Sequence, residues 1–259
     1  MVERIPVPVA TRAPHGETNA FLAGDPLVLI DPAGRSAELD STVSDHHRDI
    51  EHLAVTHTHP DHVGAVAHYA TETDATVWCR YGRRDEFERA TGTRPDVTFV
   101  DGTELGDTGI VVMETPGHAP EHTAFLAGPD AIVGDLLTAD GSVFVGKPGG
   151  DMRAYFASLR RLLAHDLDTL QPGHGGSVIE PHTRIREVLA HRQDRERRVE
   201  AAVRDDGAQT VEEILHVAYD KDLTGLEDLA ARTVRAHLQK LDVEGRIRWE
   251  GETATPPDS

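Results

Sequence analysis

His57-Thr58-His59-Pro60-Asp61-His62 places four metal-ligand side chains in six positions, with a proline to stiffen the turn. Imidazole nitrogen and carboxylate oxygen suit zinc and other borderline divalent metals. The segment directly follows the apolar run HLAVT, so it occupies a loop at a strand's end, where α/β proteins hold their sites. Three later segments use the same device. Thr115-Pro116-Gly117-His118 follows an apolar run, and its Pro-Gly pair forces a turn that presents His118. Ile132-Val133-Gly134-Asp135 ends another run with an acid, and Pro172-Gly173-His174-Gly175 ends a third with a histidine. Convergent strand ends would bring these side chains to one rim.

The elements needed to do this are legible as short apolar runs between Gly, Pro and Asp. Strands are expected at 5–9, 18–22, 27–30, 53–56, 76–79, 110–114, 123–126, 131–133 and 169–171. Helices are expected at 63–72, 83–90 and 152–165, the last with Asp151 as N-cap and Tyr155, Leu159, Leu162 and Leu163 near helical spacing. Strands interleaved with helices indicate an α/β or α+β domain. From Pro181 the texture changes to one long charged helix over 181–204, ended by Asp205-Asp206-Gly207. Three short amphipathic helices follow, marked by Val211, Ile214, Leu215 and Ala218, then Leu226, Leu229 and Ala230, then Val234, Leu238 and Leu241. With a turn and strand over 244–250 they outline a winged helix. The expected division is 1–180 for the site-bearing domain, 181–206 for a linking helix, 207–252 for the winged-helix unit and 253–259 for a flexible tail.

HxHxDH, TPGH, GD and PGHG, in this order and spacing, resemble the metallo-beta-lactamase superfamily. The resemblance implies an αββα sandwich, two β-sheets flanked by helices with two metals at one edge, followed here by the small C-terminal winged-helix unit. It implies that His57, His59 and His118 bind one metal, that Asp61, His62 and His174 bind the other, and that Asp135 bridges them. All seven positions are filled, which argues for two metals and against the flavodiiron branch, where an acid replaces His59. Two ions about 3.5–4 Å apart would share a hydroxide nucleophile with a pKa lowered toward about 7. Two Zn²⁺ per chain are expected, with Mn²⁺ or Fe as alternatives. Asp61 and His122 are the expected catalytic residues, Asp61 orienting the hydroxide and His122 standing beside the substrate or donating a proton. His122 can equally be read as a supporting histidine.

The segment 191–196, HRQDRE, and KLDVEGRI at 240–247 resemble the beta-lactamase-like protein 2 group of that superfamily, which includes an endoribonuclease acting on single-stranded RNA. HRQDRE is read as an ion-pair lattice, with a place in the substrate channel as the alternative. The resemblance implies a metal-dependent hydrolase, with single-stranded RNA or a small acyl compound as substrate. The same site chemistry would serve a glyoxalase II-like thioesterase or an ester or lactone hydrolase. An iron-dependent sulfur dioxygenase and a nucleic-acid-binding regulator are further alternatives. Duplex DNA is not the expected partner, because Arg232, Arg235, Lys240, Arg246 and Arg248 are interspersed with Asp228, Asp242, Glu244 and Glu250 instead of forming a basic stripe.

The bulk numbers fit this reading. The 259 residues are 38% apolar and 27% charged, enough for a substantial core. No run of 18 apolar residues exists and the N-terminus lacks an apolar signal region, so a cytoplasmic protein away from membranes is expected. Cys79, the single cysteine, is read as a small buried apolar residue. The net charge of −19, with only three lysines and more Asp than Glu, resembles adaptation to molar salt, where self-repulsion is screened. Lys147, in the Gly-rich run VGKPGG, is read as a solvated loop residue, with an anionic substrate group as the alternative.

Overall fold

The computed structural model describes residues 2–11, 16–220 and 223–257. The chain divides into two compact units. The first comprises Met1–Thr115, Glu121–Gly141 and Leu163–Arg184, and the second Pro116–Pro120, Ser142–Leu162 and Ile185–Ser259.

The first unit holds two sheets. Strands β1 (Glu3–Pro8), β2 (Glu17–Ala23), β3 (Leu27–Ile30), β4 (Ile50–Ala54), β5 (Thr76–Arg80) and β6 (Val97–Phe99) lie in sequence order. The first two pairings are antiparallel and the rest parallel. The second sheet runs β10 (Thr169–Pro172), β9 (Asp130–Gly134), β8 (Thr123–Ala127), β7 (Ile110–Glu114). Alternation along a strand sends successive side chains to opposite faces. Phe21, Ala23, Val28 and Ile30 accordingly pack with Ile110, Val112, Phe125 and Ile132 between the sheets. Leu22 and Leu29 face the other way, toward Leu39, Val43, Val66, Tyr69 and Phe87 of the helices α1 (Ala37–Asp45), α3 (Val66–Thr73) and α4 (Arg84–Thr91).

The expected helix at 63–72 is two pieces, α2 (Pro60–Val63) and α3. Gly64 separates them because its N–H, and that of Ala65, donate to the carbonyls of Ala33 and Pro32 at 3.0 and 2.9 Å. A Cβ at Gly64 would lie 2.5 Å from the Ala33 oxygen. Helix α1 and strand β6 were not among the expected elements.

The second unit contains α5 (Met152–Leu162), most of α6 (Pro181–Arg204), α7 (Val211–Ala218), α8 (Glu227–Val243) and the hairpin β11 (Arg248–Trp249) with β12 (Ala254–Thr255). Thr210 and Glu213 form a capping box that starts α7. The second and third helices expected after α6 are one continuous helix, α8, which carries apolar residues through both predicted spans. The end of α6 takes the vacant role: Val199, Ala202 and Val203 pack with Ile214, Val234, Leu238 and Leu241. Part of the expected tail is also ordered. Ala254 is buried in this core and its N–H donates to the Gln209 carbonyl at 2.8 Å. Residues 258–259 lie outside the described residues. No helix among the described residues is long and apolar enough to cross a membrane.

Candidate metal centre

Parallel pairing brings the ligand-bearing loops to one end of the first unit. β9 and β10 run parallel with Gly134 opposite Pro172, so Asp135 and His174 emerge at the same edge. β3 and β4 run parallel with Ile30 opposite Ala54, so the loop starting at Val55 leaves beside Asp31. His59 is the N-cap of α2 and Pro60 fills its first turn, where a missing N–H costs nothing.

Two sets of donor atoms converge here. His57, His62 and Asp135 form one and Asp61, His62 and His174 the other, each with its ligand atoms within 4.8 Å of one another. His62 Nε2 stands 3.6 Å from Asp135 Oδ1, and His174 Nε2 stands 3.4 Å from the same oxygen and 3.7 Å from Asp61 Oδ2. His59 Nδ1 lies 2.9 Å from His57 Nε2. Asp61 also accepts a hydrogen bond from Thr11 at 2.5 Å.

Each inward nitrogen is aimed by a contact on the opposite nitrogen of its ring. His62 Nδ1 donates to Asp31 Oδ2 at 2.9 Å. His174 Nδ1 donates to the Glu17 carbonyl at 2.8 Å. His57 Nδ1 lies 3.1 Å from Thr56 Oγ1, which itself donates to Asp31. Such outer partners fix the tautomer and turn the inward lone pair toward a metal. Burial opposes protonation of His62, but Asp135 and Asp31 outweigh it and lift its pKa to about 10. His174 is raised as well, with burial opposing and Asp135 prevailing.

Two glycines leave room for this convergence. A Cβ on Gly173 would sit 2.6 Å from His62 Cε1 and 3.0 Å from Asp135 Oδ1. A Cβ on Gly134, whose φ is +46°, would sit 2.6 Å from Thr56 Oγ1. The glycine in each strand-ending motif is therefore a spacing requirement as well as a turn signal.

His118 belongs to the second unit, where its Nδ1 donates to the Phe144 carbonyl at 2.7 Å. The five-residue excursion that carries it is closed at its base in the first unit, where the Thr115 N–H donates to the His122 carbonyl at 2.9 Å. His122 is completely buried, with its Nδ1 2.8 Å from Thr115 Oγ1 and its ring 5.2 Å from that of His57, an arrangement in keeping with the supporting one of its two readings.

Two carboxylates escaped the sequence reading. Asp31 is fully buried at a φ of +50° and accepts from Thr56 N, Thr56 Oγ1 and His62. Its signal was an acid directly after the apolar run LVLI. Glu121 Oε1 accepts from Thr58 N and Oγ1 at 3.1 and 2.8 Å, tying the HTHPDH loop to the segment after His118. Cys79 is buried, and burial pushes its thiol up to about 11.

HRQDRE forms contacts inside the second unit. Arg192 donates to the Val143 carbonyl, and Arg195 donates to the Ala218 carbonyl and lies 3.5 Å over the Tyr219 ring. Glu196 accepts from Lys240 at 2.7 Å and Arg246 at 3.0 Å, with His237 at 3.4 Å. Lys147 is half-buried and its backbone is bonded to Arg232.

These loops and ligands define a class. The description of the metallo-beta-lactamase superfamily matches residues 13–174, and the chain belongs to that superfamily, whose members are mostly metal-dependent hydrolases. Residues 210–255 match the beta-lactamase associated winged helix domain. The expected resemblance to the beta-lactamase-like protein 2 group is met by similar proteins of that name. A Beta-lactamase-like protein 2 homolog of Drosophila melanogaster is 26% identical over 249 residues, covering 89% of this chain and 84% of the relative. Among solved structures, the metallo-beta-lactamase family protein TTHA1429 from Thermus thermophilus superposes with a TM-score of 0.76 at 23% identity, covering 98% of each chain. TTHA1623, solved in a di-iron-bound form, superposes with a TM-score of 0.55 at 31% identity over 68% of this chain and 94% of its own.

Proposed function

We propose that this protein is a hydrolase with two divalent metals that cleaves phosphodiester bonds in single-stranded RNA. The observation that carries the metal reading is the pairing of inward and outward nitrogens. His57, His62 and His174 converge on Asp135 or Asp61 while their opposite nitrogens are held by Thr56, Asp31 and Glu17. An imidazole and carboxylate set so oriented fits zinc, and also Mn²⁺ or iron. His118, with its Nδ1 likewise held, would join His57 and His59 at one metal. Asp61, His62 and His174 would hold the second, and Asp135 would be shared. Metals held there would supply a water acidified toward a pKa of about 7 and a Lewis acid for the phosphoryl oxygen. Asp61, fixed by Thr11, would orient the attacking water. His122 would act only through its neighbours.

The RNA reading is supported by the winged-helix domain and the kinship with the beta-lactamase-like protein 2 group. The charge of −19 opposes a polyanion at low salt, but molar salt would screen that repulsion. A lone buried thiol suits a reducing, cytoplasmic compartment.

The test incubates Zn²⁺- or Mn²⁺-loaded protein with labelled single-stranded RNA in KCl, titrated downward because binding weakens as salt rises. Asp135→Asn removes the shared charge and is the control for contaminating nuclease. Cleavage by the native protein, lost in Asp135→Asn, supports the proposal. Intact RNA with folded, metal-replete protein refutes it, and turnover of an acyl thioester would then assign a small acyl substrate. Near-normal activity of Asp135→Asn would refute the two-metal assignment.

A further inference from the structure

His118 is held by a backbone carbonyl in a segment with no helix or strand of its own. Residues 142–150 include Gly146, Gly149 and Gly150, so the segment has little intrinsic preference for one shape. Its shape is imposed by two helices of the second unit. From α6, the Arg192 guanidinium, itself buried, donates to the Val143 carbonyl, and the His191 ring lies 3.4 Å from Ser142 Oγ. From α8, Arg232 Nε donates to the Lys147 carbonyl at 2.6 Å, and the Lys147 N–H returns a bond to the Arg232 carbonyl at 3.2 Å. The Arg232 guanidinium also lies 5.0 Å over the Phe144 ring. Gly146 leaves room for both the Phe144 ring and the α8 backbone, since a Cβ there would stand 2.5 Å from Phe144 Cζ and 3.0 Å from the Arg232 carbonyl carbon.

Phe144 sits between these ties, and its carbonyl receives the His118 Nδ1–H. A carbonyl only accepts, so the bond requires the proton on Nδ1 and leaves Nε2 to offer its lone pair. The turn under His118 is fixed from below by α5: Asp151 N donates to the Gly117 carbonyl at 2.8 Å and Ser158 Oγ to the Pro116 carbonyl at 2.7 Å. Those bonds hold the backbone of the turn, and they set neither the rotation of the ring nor its tautomer. The bond to the Phe144 carbonyl acts on both.

We infer that Arg232 of the winged-helix domain, together with Arg192 of the HRQDRE motif, is a positioning residue for His118: it clamps 142–150 so that Phe144 sets the tautomer and direction of that ring. This gives the winged helix a task inside its own unit, and it rests on the reading of His118 as a metal ligand.

The test uses the full chain and its Arg232→Ala, Arg232→Lys, Gly146→Ala and His118→Ala variants. Side-chain ¹⁵N spectra of the metal-free proteins report the His118 tautomer. Competition with a chromophoric chelator reports the affinity for each Zn²⁺. The expected result is an Nδ1–H tautomer in the native protein, a mixed tautomer in Arg232→Ala, and one Zn²⁺ affinity weakened by about tenfold, the lower end for loss of an outer partner. Arg232→Lys keeps a donor for the Lys147 carbonyl and should recover most of that loss. If Arg232→Ala does not fold, Gly146→Ala, which crowds the Phe144 ring and the Arg232 backbone together, must show the same paired change. An unchanged tautomer and unchanged affinities in folded Arg232→Ala or Gly146→Ala overturn the inference while leaving the metal site intact. Unchanged affinities in His118→Ala overturn the ligand assignment on which it stands.

Discussion

Replacing Asp31 with asparagine should disable the metal centre without touching a ligand. Asp31 is fully buried and its two oxygens accept three hydrogen bonds. Asparagine can keep one carbonyl toward Thr56 N, which leaves its NH₂ where Oδ2 now receives both Thr56 Oγ1 and His62 Nδ1. Two donors would then face one another across a 2.9 Å contact. The relief open to His62 is to give up its Nδ1 proton and keep one on Nε2, the atom that faces Asp135. That atom would no longer offer a lone pair to a metal. Loss of such an outer partner costs about 10–100-fold in metal affinity, or about 1.4–2.8 kcal/mol. Hydrogen bonds to a charged group contribute about 1.5–3 kcal/mol each, so the fold should weaken by a similar amount. Chelator competition measures the first effect and denaturant unfolding of metal-free protein the second. Native affinity in a folded Asp31→Asn protein would refute the claim that His62 is oriented by this carboxylate.

Other outcomes follow from the same geometry. Gly173→Ala places a methyl 2.6 Å from His62 Cε1, which should cost about 1–3 kcal/mol of stability and weaken metal binding together; a native melting temperature with native affinity would contradict the spacing argument. The second unit should be acid-labile. Burial opposes the charged Glu196, but His237 and Lys240 outweigh it and hold its pKa at about 2 against an ordinary 4.5, a difference of about 3 kcal/mol. That depressed carboxylate stabilises fully above pH 4.5 and loses its effect as pH falls toward 2. Burial also lowers the pKa of His237, so the unfolded chain binds more protons below pH 6.5 and stability falls as pH drops from there. Unfolding followed by near-ultraviolet signal from pH 7 to 3 should show both losses, and a flat profile would exclude them. Cys79 should resist iodoacetamide at pH 8 in folded protein and react once the chain is denatured, because the buried thiol titrates near about 11; fast labelling of native protein would refute its burial.

What the sequence revealed was local in character. HTHPDH, TPGH, GD and PGHG each compress a strand end, a turn and a ligand into a few residues, so one segment announces both chemistry and position. Asp31 and Glu121 act at a distance: one meets Thr56 and His62, which needs the pairing of β3 with β4, and the other meets Thr58, which needs the Thr123 N–H on the Thr56 carbonyl. His122 stayed open between two readings for a related reason. Its neighbourhood in sequence is the ligand turn, but its place in space is behind His57. Strand β6 is three residues long, too short to alternate, and α1 lies in a polar run with only Leu39 and Val43 buried. Helix α8 looked like two helices because its apolar positions span two predicted stretches, and nothing in it breaks the backbone.

The basic residues of the C-terminal domain show why charge counting alone misjudges a winged helix. Lys240 is buried between Glu196 and Glu244, with its ammonium 5.0 Å from the Phe156 ring. Arg246 pairs with Glu196, Glu200 and Glu244. Arg232 turns toward the Lys147 carbonyl. Three of the five cations available to a phosphate backbone by sequence are therefore neutralised or directed inward, and a buried ion pair loses heavily when one partner is removed. Such charges serve rigidity within the domain. A duplex reader needs them displayed along one face of a helix. The same inward use explains HRQDRE, whose glutamate anchors Lys240 and whose first arginine grips the segment beside Phe144. If RNA is the substrate, specificity then falls to the walls around the metal loops, and the helices of the second unit set how firmly His118 is held.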